Sequence, residues 1–174
     1  RSIVETIYIF MANIEIFLDK KEIKGIGEVK FYSSGEIPLD LYVECFKHLH
    51  KKSGVYQSNS INTSSTCVFI AKVNNVVIGY VDCDVDVYVG YLHTTYNTAC
   101  IHPDFRGFGL YSELYKIRKD YAESVCRGKI IECTAINSIV SDKLKSDGFL
   151  ENGYKLLVRK DGLNKLKKFY KYIP

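Results

Sequence analysis

Two stretches of the chain hold residues whose types and spacing can do chemistry. In Val81 to Tyr88, VDCDVDVY, the acids Asp82, Asp84 and Asp86 alternate with Cys83, Val85 and Val87. Alternate side chains of an extended strand share a face, so the three carboxylates line one side. Such a face can attract a cation or take a proton from one. With Tyr88 to Tyr91 as a tight turn around Gly90, Asp86 falls opposite His93, Asp84 opposite Thr95 and Asp82 opposite Asn97. Alternating Asp is equally the pattern of a solvated hairpin side. The second stretch, IHPDFRGFGLYSELY from Ile101 to Tyr115, sets Arg106, Gly107 and Gly109 between an apolar run and helical spacing. A helix N-terminus offers unpaired N–H groups and partial positive charge, and glycines let an anion approach that backbone. Arg106 adds a fork suited to phosphate oxygens. A Gly-rich turn before a helix also serves plain strand-to-helix packing. This one is neither a Walker loop nor a GxGxxG dinucleotide motif.

The elements around these stretches follow from periodicity. Ile14 to Leu18 and Glu28 to Tyr32 read as strands, and Pro38 to Lys52 as an amphipathic helix with Leu41, Cys45 and Leu49 four apart. The polar run Gln57 to Thr66 is a loop. Strands follow at Val68 to Val73, Val76 to Val87 and Leu92 to Ile101, with Asn74-Asn75 as a hairpin turn between the first two. Phe108 to Cys126 is the longest helical pattern, with Leu110, Leu114, Ile117 and Tyr121 on one face. Lys129 to Ile136 reads as a buried strand, Ser138 to Ser146 as a short helix, and Phe149 to Val158 as a final strand. Strand, helix, strand after an antiparallel meander demands a parallel pair joined by a crossover.

Arg106 to Tyr111 resembles the R/Q-x-x-G-x-G/A signature of the GCN5-related N-acetyltransferase (GNAT) superfamily, and IHPDFRGFG resembles its V-x-P-x-x-R-G-x-G run. A second stretch, NSIVSDKLKSDGF, is similar to the family's N-x-x-A-x-x-x-Y-x-x-x-G-F segment at Asn137, Gly148 and Phe149. The resemblance implies an α/β (mixed α+β) fold: a central mixed, mostly antiparallel sheet with a splayed parallel strand pair and flanking helices. It implies one domain over residues 1–174, with N-terminal strands, helix and substrate loop in 1–67, an acetyl-CoA-binding core in 68–158 and a tail in 159–174. The cofactor implied is acetyl-CoA as acetyl donor. The amides of Arg106, Gly107, Phe108, Gly109, Leu110 and Tyr111 are expected to cradle its pyrophosphate, Cys100 and Ile101 to meet its pantetheine arm, and Asn137 to contact it from the facing segment. Tyr111 replaces the usual Gly or Ala. Leu144 stands where many members carry the Tyr that protonates the leaving thiolate, and Ser146 and Tyr154 are the nearest substitutes.

Transfer to an amine in a ternary complex needs a base and donors for the developing oxyanion. Thr95 holds the position nearest the family's usual base Glu, so Asp84 and His93 are the candidate bases. Asp82, Asp84 and Asp86 are expected to bind a cationic acceptor lying over the loop between Lys52 and Thr66. Glu132, inside IIECT, is a lesser candidate, being either structural or functional if buried. The alternative function is a GNAT-fold module that binds CoA or a protein partner without turnover.

Composition limits the other classes. At 47% apolar and 25% charged the chain fits a folded globular protein. Its net charge of +4 carries no dense basic stripe, which speaks against nucleic acid as partner. Six scattered cysteines without metal spacing point to free thiols in a reducing, cytoplasmic setting and to no metal. His48 and His50 do not share a helix face. The apolar opening is interrupted by Glu5, Asn13 and Glu15, so no membrane span is expected. The tail, with Lys165, Lys167, Lys168 and Lys171 among Phe169, Tyr170 and Tyr172, is expected to be a surface helix or a cover on a strand edge. Monomer and homodimer stay equally open.

Overall fold

The computed structural model describes residues 2–3, 14–45, 64–88, 91–125, 129–135, 138–159 and 162–174. Within them one eight-stranded sheet is built from β1 (Ile16–Ile23), β2 (Gly27–Glu36), β3 (Ser64–Val73), β4 (Val76–Tyr88), β5 (Tyr91–Ile101), β6 (Lys129–Ala135), β7 (Leu150–Arg159) and β8 (Gly162–Ile173). The strands lie in the order β1-β2-β3-β4-β5-β6-β8-β7. Every neighbouring pair is antiparallel except β5 and β6. That parallel pair is the one the sequence demands, because the long helix Leu110–Val125 lies between its strands.

The expected hairpin turn is present. Asn74 and Asn75 both have positive φ, 48° and 63°, the conformation of a tight turn whose twist suits the flanking strands. Observed strand limits differ from the reading at β1, which starts at Ile16 and runs on to Ile23, at β2, which runs on to Glu36, and at β3, which begins at Ser64 inside the expected loop. The rest of that loop lies outside the described residues.

The two faces of the sheet are packed differently. The long helix and the short helix Ser138–Ser146 lie on one face, where Leu110, Leu114, Ala122 and Leu144 join Phe69, Val81, Cys83, Ile131 and Phe169 in the main core. Gly79 permits the close approach: a Cβ there would stand 2.9 Å from Ile101 and 3.2 Å from Leu114. On the other face a helix described over residues 39–45 sets Leu41 and Cys45 against Val68, Ile70 and Tyr80.

The tail corrects an expectation. β8 is inserted between β6 and β7, and Phe169 is buried, so the tail is neither a helix nor an edge cover. By strand alternation Lys171 shares the face of Phe169 and ion-pairs there with Glu123 at 2.9 Å and Asp147 at 3.5 Å. Lys168, Tyr170 and Tyr172 pair with Thr134, Glu132 and Ile130, on the side away from the two C-terminal helices.

Candidate functional site

The candidate site lies where β5 parts from β6 while staying paired with β4. β5 pairs with β6 only from His93↔Ile130 to Tyr96↔Cys133, although β5 continues to Ile101. From Asn97 onward the edge facing β6 therefore has no partner strand among the described residues. At the same point β5 carries a bulge. Its pairing with β4 passes from Cys83↔Tyr96 to Val81↔Ala99, so Asn97 and Thr98 together oppose Asp82.

The bulge decides what the aspartates do. Asp82 is 1% exposed, and its Oδ1 accepts from both the backbone N–H and the hydroxyl of Thr98, each at 2.6 Å. It is a clamp on the bulge rather than part of an open acidic face. The expected pairing of Asp82 with Asn97 is lost to the extra residue. Asp84 keeps its expected partner Thr95 and is half-buried, and its Oδ2 accepts from the Asn97 side-chain amide at 2.5 Å. Asp86 and His93 are opposite each other as expected, with side chains outside the described residues. Asn137 and Tyr154's side chain also lie outside them.

One row crosses the sheet just before the split. Asp84 pairs with Thr95, Thr95 with Glu132, and Glu132 with Tyr170. Glu132 is exposed, which removes the premise of a buried Glu. Strand alternation puts this row on the face opposite the long helix, since Cys83, Tyr96, Cys133 and Phe169 fill the core on the other side. Sequence reading weighed Tyr170 only as part of a surface tail, and only the register brings it here.

Beyond Ile101 the chain makes a 3₁₀ turn at Pro103–Phe105, capped by the His102 side chain, which accepts from the Asp104 N–H at 3.2 Å. Gly107 and Gly109 follow with φ of 85° and 86°, and a Cβ on either would meet nothing within 4 Å. The backbone here is left-handed and its outer side is open. The Gly109 carbonyl accepts from the Glu113 N–H, so glycine sits at the start of the long helix, where no side chain can cap the first N–H groups. Arg106 folds back, its Nε donating to the Ile101 carbonyl at 2.8 Å. Phe108 packs on the β1–β2 turn at Gly25, where a Cβ would come within 2.5 Å of the ring. Tyr111 sends its ring inward, with its centroid 6.0 Å from that of Tyr115, and its hydroxyl is buried.

A thiol pair lies beside the end of β5. Cys45 donates to the Ile101 carbonyl at 3.5 Å and contacts the Cys100 thiol. The hydrogen bond from Cys100 lowers Cys45 to about 7 against the opposing effect of burial, with Arg106's charge helping. The same contact, with burial, pushes Cys100 up. Leu144 is fully buried in the core, and the Ser146 hydroxyl donates to the Lys143 carbonyl at 2.8 Å on an exposed surface. Neither is a proton donor to the split. Burial, then Asp147, raises the Tyr115 phenol, whose hydroxyl donates to Asp147 at 2.9 Å.

Between the two helices a cavity of about 390 Å³ is lined by Lys21, Ser112, Glu113, Lys116, Lys119, Lys143, Ser146 and Asp147, among others. Lys21 pairs with Glu113 at 2.6 Å and Lys119 with Asp147 at 2.5 Å, which leaves Lys116 and Lys143 as its excess positive charge. Among the described residues no group of three or more His, Cys, Asp or Glu side chains is placed to hold a metal, and no helix is long and apolar enough to cross a membrane.

Among the described residues, then, an edge of β5 without a partner strand runs into an open, glycine-lined helix start. The acetyltransferase (GNAT) family model matches residues 36–149, and the chain belongs to that family. No curated protein matches. The fold is shared with NAA60 of Arabidopsis thaliana, solved with a bisubstrate analogue: TM-score 0.57, 14% identity, 82% of this chain and 98% of that one. It is also shared with yncA, a putative acetyltransferase of Salmonella typhimurium solved with acetyl-CoA: TM-score 0.57, 17% identity, 83% and 94%. The ribosomal-protein-S18-alanine N-acetyltransferase of Escherichia coli aligns at TM-score 0.55 and 16% identity over 82% and 94%.

Proposed function

We propose that the chain is an acetyl-CoA-dependent N-acetyltransferase that lets an amine attack the thioester directly in a ternary complex. The single observation that carries this is the edge of β5 from Asn97 to Ile101, which no described strand covers and which continues into the glycine cradle. Acetyl-CoA supplies an activated acetyl group, a chain of amides that suits a strand edge, and a pyrophosphate that suits an uncapped helix start. The residues present fit it. Gly107 and Gly109 leave the cradle open, Leu110 and Tyr111 offer first-turn amides, and Cys100 and Ile101 border the arm.

The acceptor amine reaches the split from the side of helix 39–45, over the row of Asp84, Thr95, Glu132 and Tyr170. Asp84, held by Asn97, takes the amine's proton directly or through water, with His93 on the same strand pair as the other candidate. Asp86 adds negative charge that favours a cationic acceptor, such as a polyamine or a lysine side chain. Tyr170 and Glu132 are the remaining proton carriers near the leaving thiolate, in place of the absent tyrosine at Leu144. That absence also favours the second reading, a CoA-binding module without turnover.

Calorimetric titration of acetyl-CoA and CoA into the native chain and an Arg106→Ala, Gly109→Glu variant tests the cofactor site. Binding by the native chain that the variant loses supports it, and amines are then screened for CoA release. A folded native chain that binds neither sinks the enzyme reading. Binding with no release for any amine leaves the second reading.

A further inference from the structure

Arg118 has no place in the chemistry above, yet the fold hides it. It lies on the sheet side of the long helix at 2% exposure, among leucines and tyrosines. A buried guanidinium is costly unless its donors are matched. Its Nη1 donates to the Thr98 carbonyl at 3.2 Å and lies 3.4 Å from the Asp82 carbonyl. Its Cζ stands 4.1 Å from the Tyr96 ring centroid and 5.7 Å from that of Tyr115, and its buried Nε has no partner among the described residues. The cation is thus held by two ring faces and by the two carbonyls that frame the bulge.

The other face of the same bulge is gripped by the Asp82 carboxylate through Thr98. Opposite charges therefore clamp one irregular backbone segment from both sides. Arg118 is also eight residues along the helix from Leu110, about 12 Å at 1.5 Å per residue. One rigid rod carries both the open helix start and the side chain that grips the bulge.

We propose that Arg118 is a positioning residue for acyl transfer, fixing the bulge where β5 parts from β6 relative to the cradle at the start of its own helix. The proposal rests on the acyltransferase reading. An apolar side chain of similar length would fill the space but remove the donor that Arg118 presents to the Thr98 and Asp82 carbonyls. A bulge free to move by one residue would turn the residues from Asn97 to Ile101 to the opposite faces and misplace the strand edge. Lys keeps the charge but lacks the planar fork that stacks on Tyr96 while reaching a carbonyl.

The test compares Arg118→Met and Arg118→Lys with Phe69→Leu, a core substitution on β3 that removes none of Arg118's hydrogen bonds or ring contacts. Three quantities are read: acetyl-CoA affinity by calorimetry, CoA release per bound cofactor in single turnover, and amide hydrogen exchange over residues 97–101. Arg118→Met is expected to leave affinity within about threefold, slow release about 30-fold and speed exchange in that segment. Arg118→Lys recovers part of both losses, and Phe69→Leu lowers the melting temperature without changing release per bound cofactor. Unchanged exchange at 97–101 in Arg118→Met overturns the proposal. So does a release defect that Phe69→Leu reproduces at equal destabilisation. Should Arg118→Met not fold, Arg118→Lys is judged on the same exchange criterion. If the native chain binds no acetyl-CoA, the acyltransferase reading falls, and exchange alone decides whether Arg118 holds the bulge.

Discussion

Replacing Thr98 by Val tests the clamp that shapes the site. The substitution keeps shape and β-branching and removes only the hydroxyl that donates to Asp82 at 2.6 Å, leaving the backbone N–H bond. A hydrogen bond to a charged acceptor contributes ~1.5–3 kcal/mol, and Asp82 is buried, so a loss of about 2 kcal/mol is expected. For a chain of this size each kcal/mol moves the melting temperature by ~2–4 °C, which makes the expected fall ~4–8 °C. The assay is urea and thermal unfolding of native, Thr98→Val, Asp82→Ala and the double variant. Once Asp82 is Ala, the Thr98 hydroxyl has lost this acceptor, so removing it then costs little, and the cycle should show a coupling above ~1 kcal/mol. Single effects within ~0.5 kcal/mol of native, or strict additivity, would refute the clamp.

Other outcomes follow from the same geometry. Gly109→Ala forces a side chain into left-handed backbone at ~1–2 kcal/mol without any clash, so the variant folds, while acetyl-CoA affinity measured by calorimetry drops at least tenfold. Burial raises Cys67 to about 11 and Cys83 to about 12 from an ordinary value of 9. Between pH 9 and 11 the unfolded chain loses these protons while the folded chain keeps them. Stability therefore falls as pH rises, by up to ~1.4 kcal/mol per pH unit for Cys83 and by less for the partly exposed Cys67. The Cys67→Ala, Cys83→Ala variant should show a shallower alkaline limb in urea unfolding, and an unchanged limb would contradict the burial effect. Lys116→Glu and Lys143→Glu should each weaken acetyl-CoA binding ~3–10-fold at low salt, with the loss shrinking as salt rises. A salt-independent loss would mean that the cavity's charge is not what the cofactor meets.

Much of this protein was legible in local pattern because its causes are local. Asn74-Asn75 announces a tight turn, and alternation and apolar runs mark β3, β4, β5 and β6. The glycines at 107 and 109 are legible because left-handed backbone at a helix start demands them, and the same spacing carries the family. What depends on partners distant in sequence was not legible. Alternation places Asp82 beside Asp84 and Asp86, but a bulge in the neighbouring strand gives Asp82 two donors and buries it. Helical spacing gives no sign that Arg118 is buried, and it is two carbonyls and the Tyr96 ring from other elements, with Tyr115 on its own helix, that make its burial tolerable. The lysine-rich tail reads as surface, and only pairing to both β6 and β7 makes it an interior strand, with Lys171 on the core side matched by Glu123 and Asp147. Sequence by itself determined the strands before the tail, the crossover and the glycine cradle, since each is set by the conformational preferences of consecutive residues. Tertiary structure alone decided which charges are buried and where the sheet opens, because a charge and a strand edge acquire their energies from groups that the chain brings together only by folding.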